Sequence, residues 1–196
     1  NLGNVYREKG WVEDALKKYA KAIDLRPDYA EAHNNLANLL KDCARFEEAV
    51  EHYKITVNLK PALAEAHFNF GNALKELDEL DSAVEEYRKT IALKPDFPLV
   101  YNNLANILKQ QGKINEAVGY YQKAIALKND YAEAYNNRGV AYQNKGQYDR
   151  AIEDFNKAIV LDPDYADAYN NRGIAYRNKG QYDRAIVDYN KAISID

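Results

Sequence analysis

Apolar side chains recur along this chain at spacings of three and four residues, interrupted at regular intervals by glycine, proline or polar residues. Tyr101, Leu104, Ala105 and Leu108 fall on one stripe of a helix. Beyond Gly112 a second stripe runs through Ala117, Tyr121, Ala124 and Ile125. Two amphipathic helices are predicted, with the glycine placed where a C′ residue ends the first. Gly10, Gly146 and Gly180 occupy the same place elsewhere, whereas Ala44 and Asp78 depart from it and predict two less relaxed turns.

The pattern repeats every 34 residues without an insertion. Small residues recur at Gly3, Ala37, Gly71, Ala105, Gly139 and Gly173, a column here numbered position 8 of the repeat. Alanines recur at position 20, from Ala15 to Ala185, and an aromatic follows four residues later, as in Tyr19, Tyr53, Tyr87, Tyr121, Phe155 and Tyr189. Small residues at positions 8 and 20 let the paired helices approach closely. Thr56 and Thr90 replace alanine at position 27 and should loosen the packing slightly. Pro27, Pro61, Pro95 and Pro163 punctuate the units, and Asp28, Asp130 and Asp164 stand where they would cap the next helix.

This order of small residue, alanine, aromatic and proline at a period of 34 resembles the tetratricopeptide repeat over all 196 residues. The Trp usual at position 4 is replaced by His33, His67, Tyr101, Tyr135 and Tyr169. The resemblance implies an all-α fold, a right-handed α-solenoid of six helix-turn-helix repeats. They would run over residues 1–29, 30–63, 64–97, 98–131, 132–165 and 166–196 as one array. One unit cannot bury its own stripe, so neighbours must stack. Because the chain lacks Met and closes on Ile193, Ser194, Ile195 and Asp196 with no solvating helix, we expect a piece truncated at both ends. An uncapped last helix would favour end-to-end self-association.

Composition narrows the function. The net charge of −3 gives no basic footprint for nucleic acid, and no stretch is apolar enough for a membrane. The lone Cys43 cannot form an internal disulfide, which points to a reducing, cytoplasmic or nucleocytoplasmic setting. Two serines, two threonines and three histidines leave little from which to build a nucleophile with its base or a metal site. No enzyme, no cofactor and no metal are therefore expected.

Asparagine carries the signal. Fourteen of its twenty-one occurrences fall at positions 5, 6 and 9 of the repeat. Position 6 is Asn in every unit: Asn1, Asn35, Asn69, Asn103, Asn137 and Asn171. Asn4, Asn38, Asn72 and Asn106 add position 9, one turn later on the same face. Asparagine is a mediocre helix former, so its repeated placement within a helix asks for a use. A carboxamide complements the N–H and C=O of a peptide backbone. Helices about 8–10 Å apart would place one such group for roughly every third residue of an extended chain, which rises ~3.3 Å per residue.

Repeats two to four resemble the tetratricopeptide region of O-GlcNAc transferase, as in the segment from His67 to Glu76. That resemblance implies a concave surface of first helices on which Asn35, Asn69 and Asn103 bind the backbone of a protein or extended peptide, with Asn137 and Asn171 extending the row. It makes this region a substrate-recruiting, non-catalytic one, since no glycosyltransferase segment is present. A self-associating or designed repeat scaffold remains a third reading. In repeats five and six Val140 and Ile174 replace the position-9 Asn, and Arg138 and Arg172 replace an apolar position 7, so the groove is expected to change there.

A basic column at position 12, with Lys41, Lys75 and Lys109 in the central repeats, should favour acidic peptide segments. The complete carboxylate clamp of related co-chaperones is absent. Glu31, Glu65, Glu133 and Asp167 read as the acidic partners of a capping arrangement, and the 17 tyrosines as core. Trp11, at a turn, is expected to be covered by an upstream repeat.

Overall fold

A computed structural model describes residues 2–195. Asn1, the first member of the position-6 column, and Asp196 lie outside the described residues. Every described element is a helix, and none is long and apolar enough to cross a membrane. The chain divides into two compact units, Asn1–Pro95 and Asp96–Asp196.

The first unit holds α1 (Leu2–Glu8), α2 (Val12–Leu25), α3 (Ala30–Asp42), α4 (Phe46–Leu59), α5 (Ala64–Glu76) and α6 (Leu80–Leu93). The second holds α7 (Pro98–Gln110), α8 (Ile114–Leu127), α9 (Ala132–Asn144), α10 (Tyr148–Leu161), α11 (Ala166–Asn178) and α12 (Tyr182–Ile195). In each unit an odd-numbered helix pairs with the even-numbered one that follows, and the pair stacks on the next odd-numbered helix. Successive odd-numbered helices also touch, as α3 with α5 and α7 with α9, so each unit has one face built from first helices.

Burial follows the predicted stripes. Tyr101, Leu104, Ala105 and Leu108 are buried, as are Ala117, Tyr121, Ala124 and Ile125. The alanines of position 20 let the aromatic of position 24 reach the first helix of its own repeat. A Cβ on Gly71 would lie 2.7 Å from the Tyr87 ring, which fills the space that glycine leaves. The turns obey the sequence too. Gly10, Gly112, Gly146 and Gly180 take positive φ, and Ala44 and Asp78 are forced into the same left-handed region at 57° and 59°. There the amide of Arg45 donates to the Leu40 carbonyl at 2.9 Å, closing the helix end as the glycine turns do.

Two expectations need correction. Asp28, Asp130 and Asp164 are not N-caps: Tyr29, Tyr131 and Tyr165 hold that place, and no side chain bonds the helix start. The aspartates sit one residue too early for their carboxylates to reach the first-turn amides. Thr56 and Thr90 are fully buried, and their hydroxyls donate to the carbonyls of His52 and Glu86 at 2.9 Å, so the extra polar group is satisfied. Not all tyrosines are core, because Tyr182 is 65% exposed, beside Ile186, Val187 and Ile193 on α12. Trp11 is exposed and lies against Tyr6, the ring centroids 5.5 Å apart and the planes tilted by 31°.

Candidate functional site

The asparagines of positions 6 and 9 meet across neighbouring first helices. In the first unit Asn35 donates from Nδ2 to Asn4 Oδ1 at 3.2 Å, and Asn69 donates to Asn38 Oδ1 at 3.1 Å. The same position-9 oxygens receive a tyrosine from the second helix of their own repeat. Tyr19 donates to Asn4 at 2.7 Å and Tyr53 to Asn38 at 2.6 Å, and the motif recurs as Tyr87 to Asn72 and Tyr121 to Asn106. Burial pushes the Tyr53 and Tyr121 hydroxyls well above the usual phenol range, which keeps them protonated as donors.

In the second unit the amide of position 6 finds a different acceptor. Asn137 donates to Asn102 Oδ1 at 3.2 Å, and Asn171 donates to Asn136 Oδ1 at 3.0 Å. These acceptors belong to position 5, where Asn102 and Asn136 are buried. For Asn171 the change is forced, because Val140 stands where the position-9 acceptor would be. Asn102 in turn donates to Glu133 at 2.9 Å, and Asn136 to the Tyr165 hydroxyl at 3.3 Å. Burial, then the Glu133 carboxylate, pushes the Tyr131 hydroxyl well up; burial and the same carboxylate push Tyr165 up to about 12.

The position-6 side chains thus share a geometry. Asn35, Asn69, Asn137 and Asn171 are half-buried, and among the described residues each spends one amide hydrogen on the preceding repeat; Asn137 shares its amide with Glu133 at 3.4 Å as well. What stays available is the acceptor oxygen of the carboxamide, with remaining donor capacity on most of them. Asn103 is half-buried in the same column and is itself engaged. Asn38, Asn72 and Asn106 instead spend their oxygens inside the fold, so their role is to hold the row in place.

The basic column is divided. Lys41 pairs with Asp42 at 3.0 Å, and Lys75 with Glu76 at 3.0 Å. Burial alone pulls the Lys109 ammonium below the usual lysine range. The acidic column is not a set of caps: Glu31 pairs with Lys60, which holds its carboxyl below the usual range, and Glu65 lies 3.7 Å from Lys94.

Polar pairs that the sequence reading missed sit deeper, between positions 4, 7 and 23. His33 Nδ1 meets His52 Nδ1 at 2.9 Å, and its Nε2 faces the Pro27 carbonyl at 3.0 Å. His67 contacts Glu86 at 2.6 Å, and Glu86 also receives Lys89. Arg138 grips Asp154 with two bonds of 2.8 and 2.7 Å, and Arg172 grips Asp188 with bonds of 2.8 and 2.6 Å. The arginines thus stitch a repeat internally. The parallel arrival of Arg at position 7 and Asp at position 23 is the signal in the sequence that would have found them. Among the described residues no group of three His, Cys, Asp or Glu is placed to hold a metal.

Comparison with known proteins agrees with this architecture. Tetratricopeptide-repeat models match residues 32–65, 132–165 and 166–196, and a TPR-repeat model matches residues 3–43, 71–112 and 105–146. The crystal structure of MamA is 28% identical with a TM-score of 0.76, covering 82% of this chain and 94% of that one. The structure of YrrB, described as a TPR protein with an unusual peptide-binding site, is 27% identical with a TM-score of 0.74, covering 91% and 92%. The C-terminal part of a TPR repeat-containing protein from Cytophaga hutchinsonii shares the fold at 16% identity, with a TM-score of 0.84 over 99% of this chain and 78% of that one. No curated protein sequence matches significantly. With these models spanning most of its length, the chain belongs to the tetratricopeptide-repeat family.

Proposed function

We propose that this chain is a non-catalytic protein-interaction module that holds an extended peptide along the face of first helices, using the position-6 asparagines as backbone readers. The observation that carries the reading is the half-spent carboxamide. Asn35, Asn69, Asn137 and Asn171 are each anchored by an amide hydrogen to a neighbouring repeat and half-exposed, with the oxygen available. A side chain fixed in this way loses little further entropy on binding. A peptide N–H and C=O are the natural complement, and the fold likeness to YrrB supports the same class of ligand. The resemblance of repeats two to four to O-GlcNAc transferase adds a narrower form of this reading, recruitment of peptide for an attached catalytic segment, and rests on sequence alone.

The test compares the parent with Asn35→Ala/Asn69→Ala and Asn137→Ala/Asn171→Ala in fluorescence anisotropy against a library of labelled extended peptides. We expect binding by the parent and its loss in the variants at unchanged helicity. Equal binding by all three would leave the asparagines as links between repeats and nothing more.

A further inference from the structure

We propose that the peptide held along the first helices of residues 96–196 presents an acidic side chain to Lys109. The inference rests on the peptide-binding reading above and adds the chemistry of one subsite to it. Lys41 and Lys75 carry their own counter-ions, Asp42 and Glu76, each the next residue along the chain. In α7 that following residue is Gln110, so the built-in neutralisation is gone. Lys109 is half-buried, makes no ion pair among the described residues, and owes its lowered proton affinity to burial with no carboxylate contributing. A desolvated cation without a partner is costly to keep, and an incoming carboxylate would relieve that cost. In the same column of α9, which packs on α7, Gln143 holds a buried Oε1 with no partner among the described residues. Lys109 and the Gln143 oxygen are therefore two polar groups of this face that the described residues leave unsatisfied.

The position suits the role. Asn102, which anchors Asn137, lies seven residues before Lys109 on one stripe of α7, about 10 Å along the helix axis. Helical side chains lean toward the N-terminus, so the lysine reaches back toward the amide row. An acidic side chain from a backbone held on that row can meet it. On the other side of the row, in the first turn of α9, the Glu133 carboxylate, bonded by Asn102 and Asn137, disfavours an acid. The charge pattern thus sets the side on which the acidic residue falls.

The test uses the full chain and two labelled Ser/Thr/Val peptides that differ only in one central residue, Glu or Gln. At low salt we expect the Glu peptide to bind about tenfold more tightly, the effect of one charge-assisted hydrogen bond. That preference should fall to about unity in Lys109→Gln and survive in Lys75→Gln. If the parent binds both peptides equally, or if Lys109→Gln keeps the preference, the acidic subsite is wrong while the backbone-reading face stands. A Lys109→Gln variant that melts earlier yet discriminates as before would assign the lysine to the helix dipole and overturn the proposal. Failure of the parent to bind either peptide would remove the peptide-binding reading and the subsite together.

Discussion

Tyr53 donates its hydroxyl to Asn38 Oδ1 over 2.6 Å, and that oxygen also receives the amide of Asn69 at 3.1 Å. One carboxamide oxygen therefore ties the second helix of a repeat to the first helix of the next. Removing Asn38 as Asn38→Ala leaves a buried tyrosine hydroxyl without an acceptor, which should cost about 1–3 kcal/mol. Tyr53→Phe removes only one of two donors and should cost about 1 kcal/mol. The double variant should be less damaging than the sum of the two. A double-mutant cycle by urea denaturation reads that coupling directly, and strict additivity would refute the shared link.

Repeats five and six show what happens when the acceptor is lost. Val140 in place of the position-9 Asn is accompanied by Phe155, so repeat five discards acceptor and donor together. Repeat six replaces the Asn by Ile174 but keeps Tyr189, whose hydroxyl is buried without a hydrogen-bond partner among the described residues. Tyr189→Phe should therefore stabilise the protein by about 1 kcal/mol, visible as a higher midpoint in thermal denaturation. A lower midpoint would mean that the hydroxyl has a partner in solution.

Two turns store strain. Ala44 and Asp78 hold φ of 57° and 59° where four other repeats place glycine. A left-handed backbone costs an L-residue roughly 1–2 kcal/mol, partly offset by the greater unfolded-state freedom of glycine. Ala44→Gly should raise stability by up to about 1 kcal/mol. Asp78→Gly should gain less, since aspartate tolerates this region better than alanine. The order of the two gains, measured by chemical denaturation, checks the explanation as well as the sign.

His52 makes the first unit sensitive to acid. Burial, then the neighbouring His33, lowers its proton affinity below that of a free imidazole, while Glu48 and Glu51 oppose the shift. The folded state thus prefers the neutral ring, and its stabilisation is present above the usual imidazole pKa of ~6.5. It is lost as pH falls through the lower folded-state value, because the unfolded chain takes up the proton first. Melting temperature should drop as pH falls below roughly 6.5, and His52→Gln should flatten that part of the profile. An unchanged slope in the variant would assign the acid sensitivity to other groups.

Much of this protein is legible without its structure. The period of 34, the helix pairs, the buried stripes and the six left-handed turn positions follow from the sequence. Burial on a helix is a property of its own geometry, and four of the six turns that need positive φ announce themselves through glycine. The row of position-6 asparagines is equally visible as a column. What those amides bond to is not. Sequence spacing cannot tell that Asn38 spends its oxygen on Tyr53 and Asn69, that Asn137 leans on Asn102, or that Asp28 falls one residue short of a cap. Polar partnership is decided within a few tenths of an ångström by the offset between stacked helices. That offset is a fact of packing between repeats that only the tertiary structure holds.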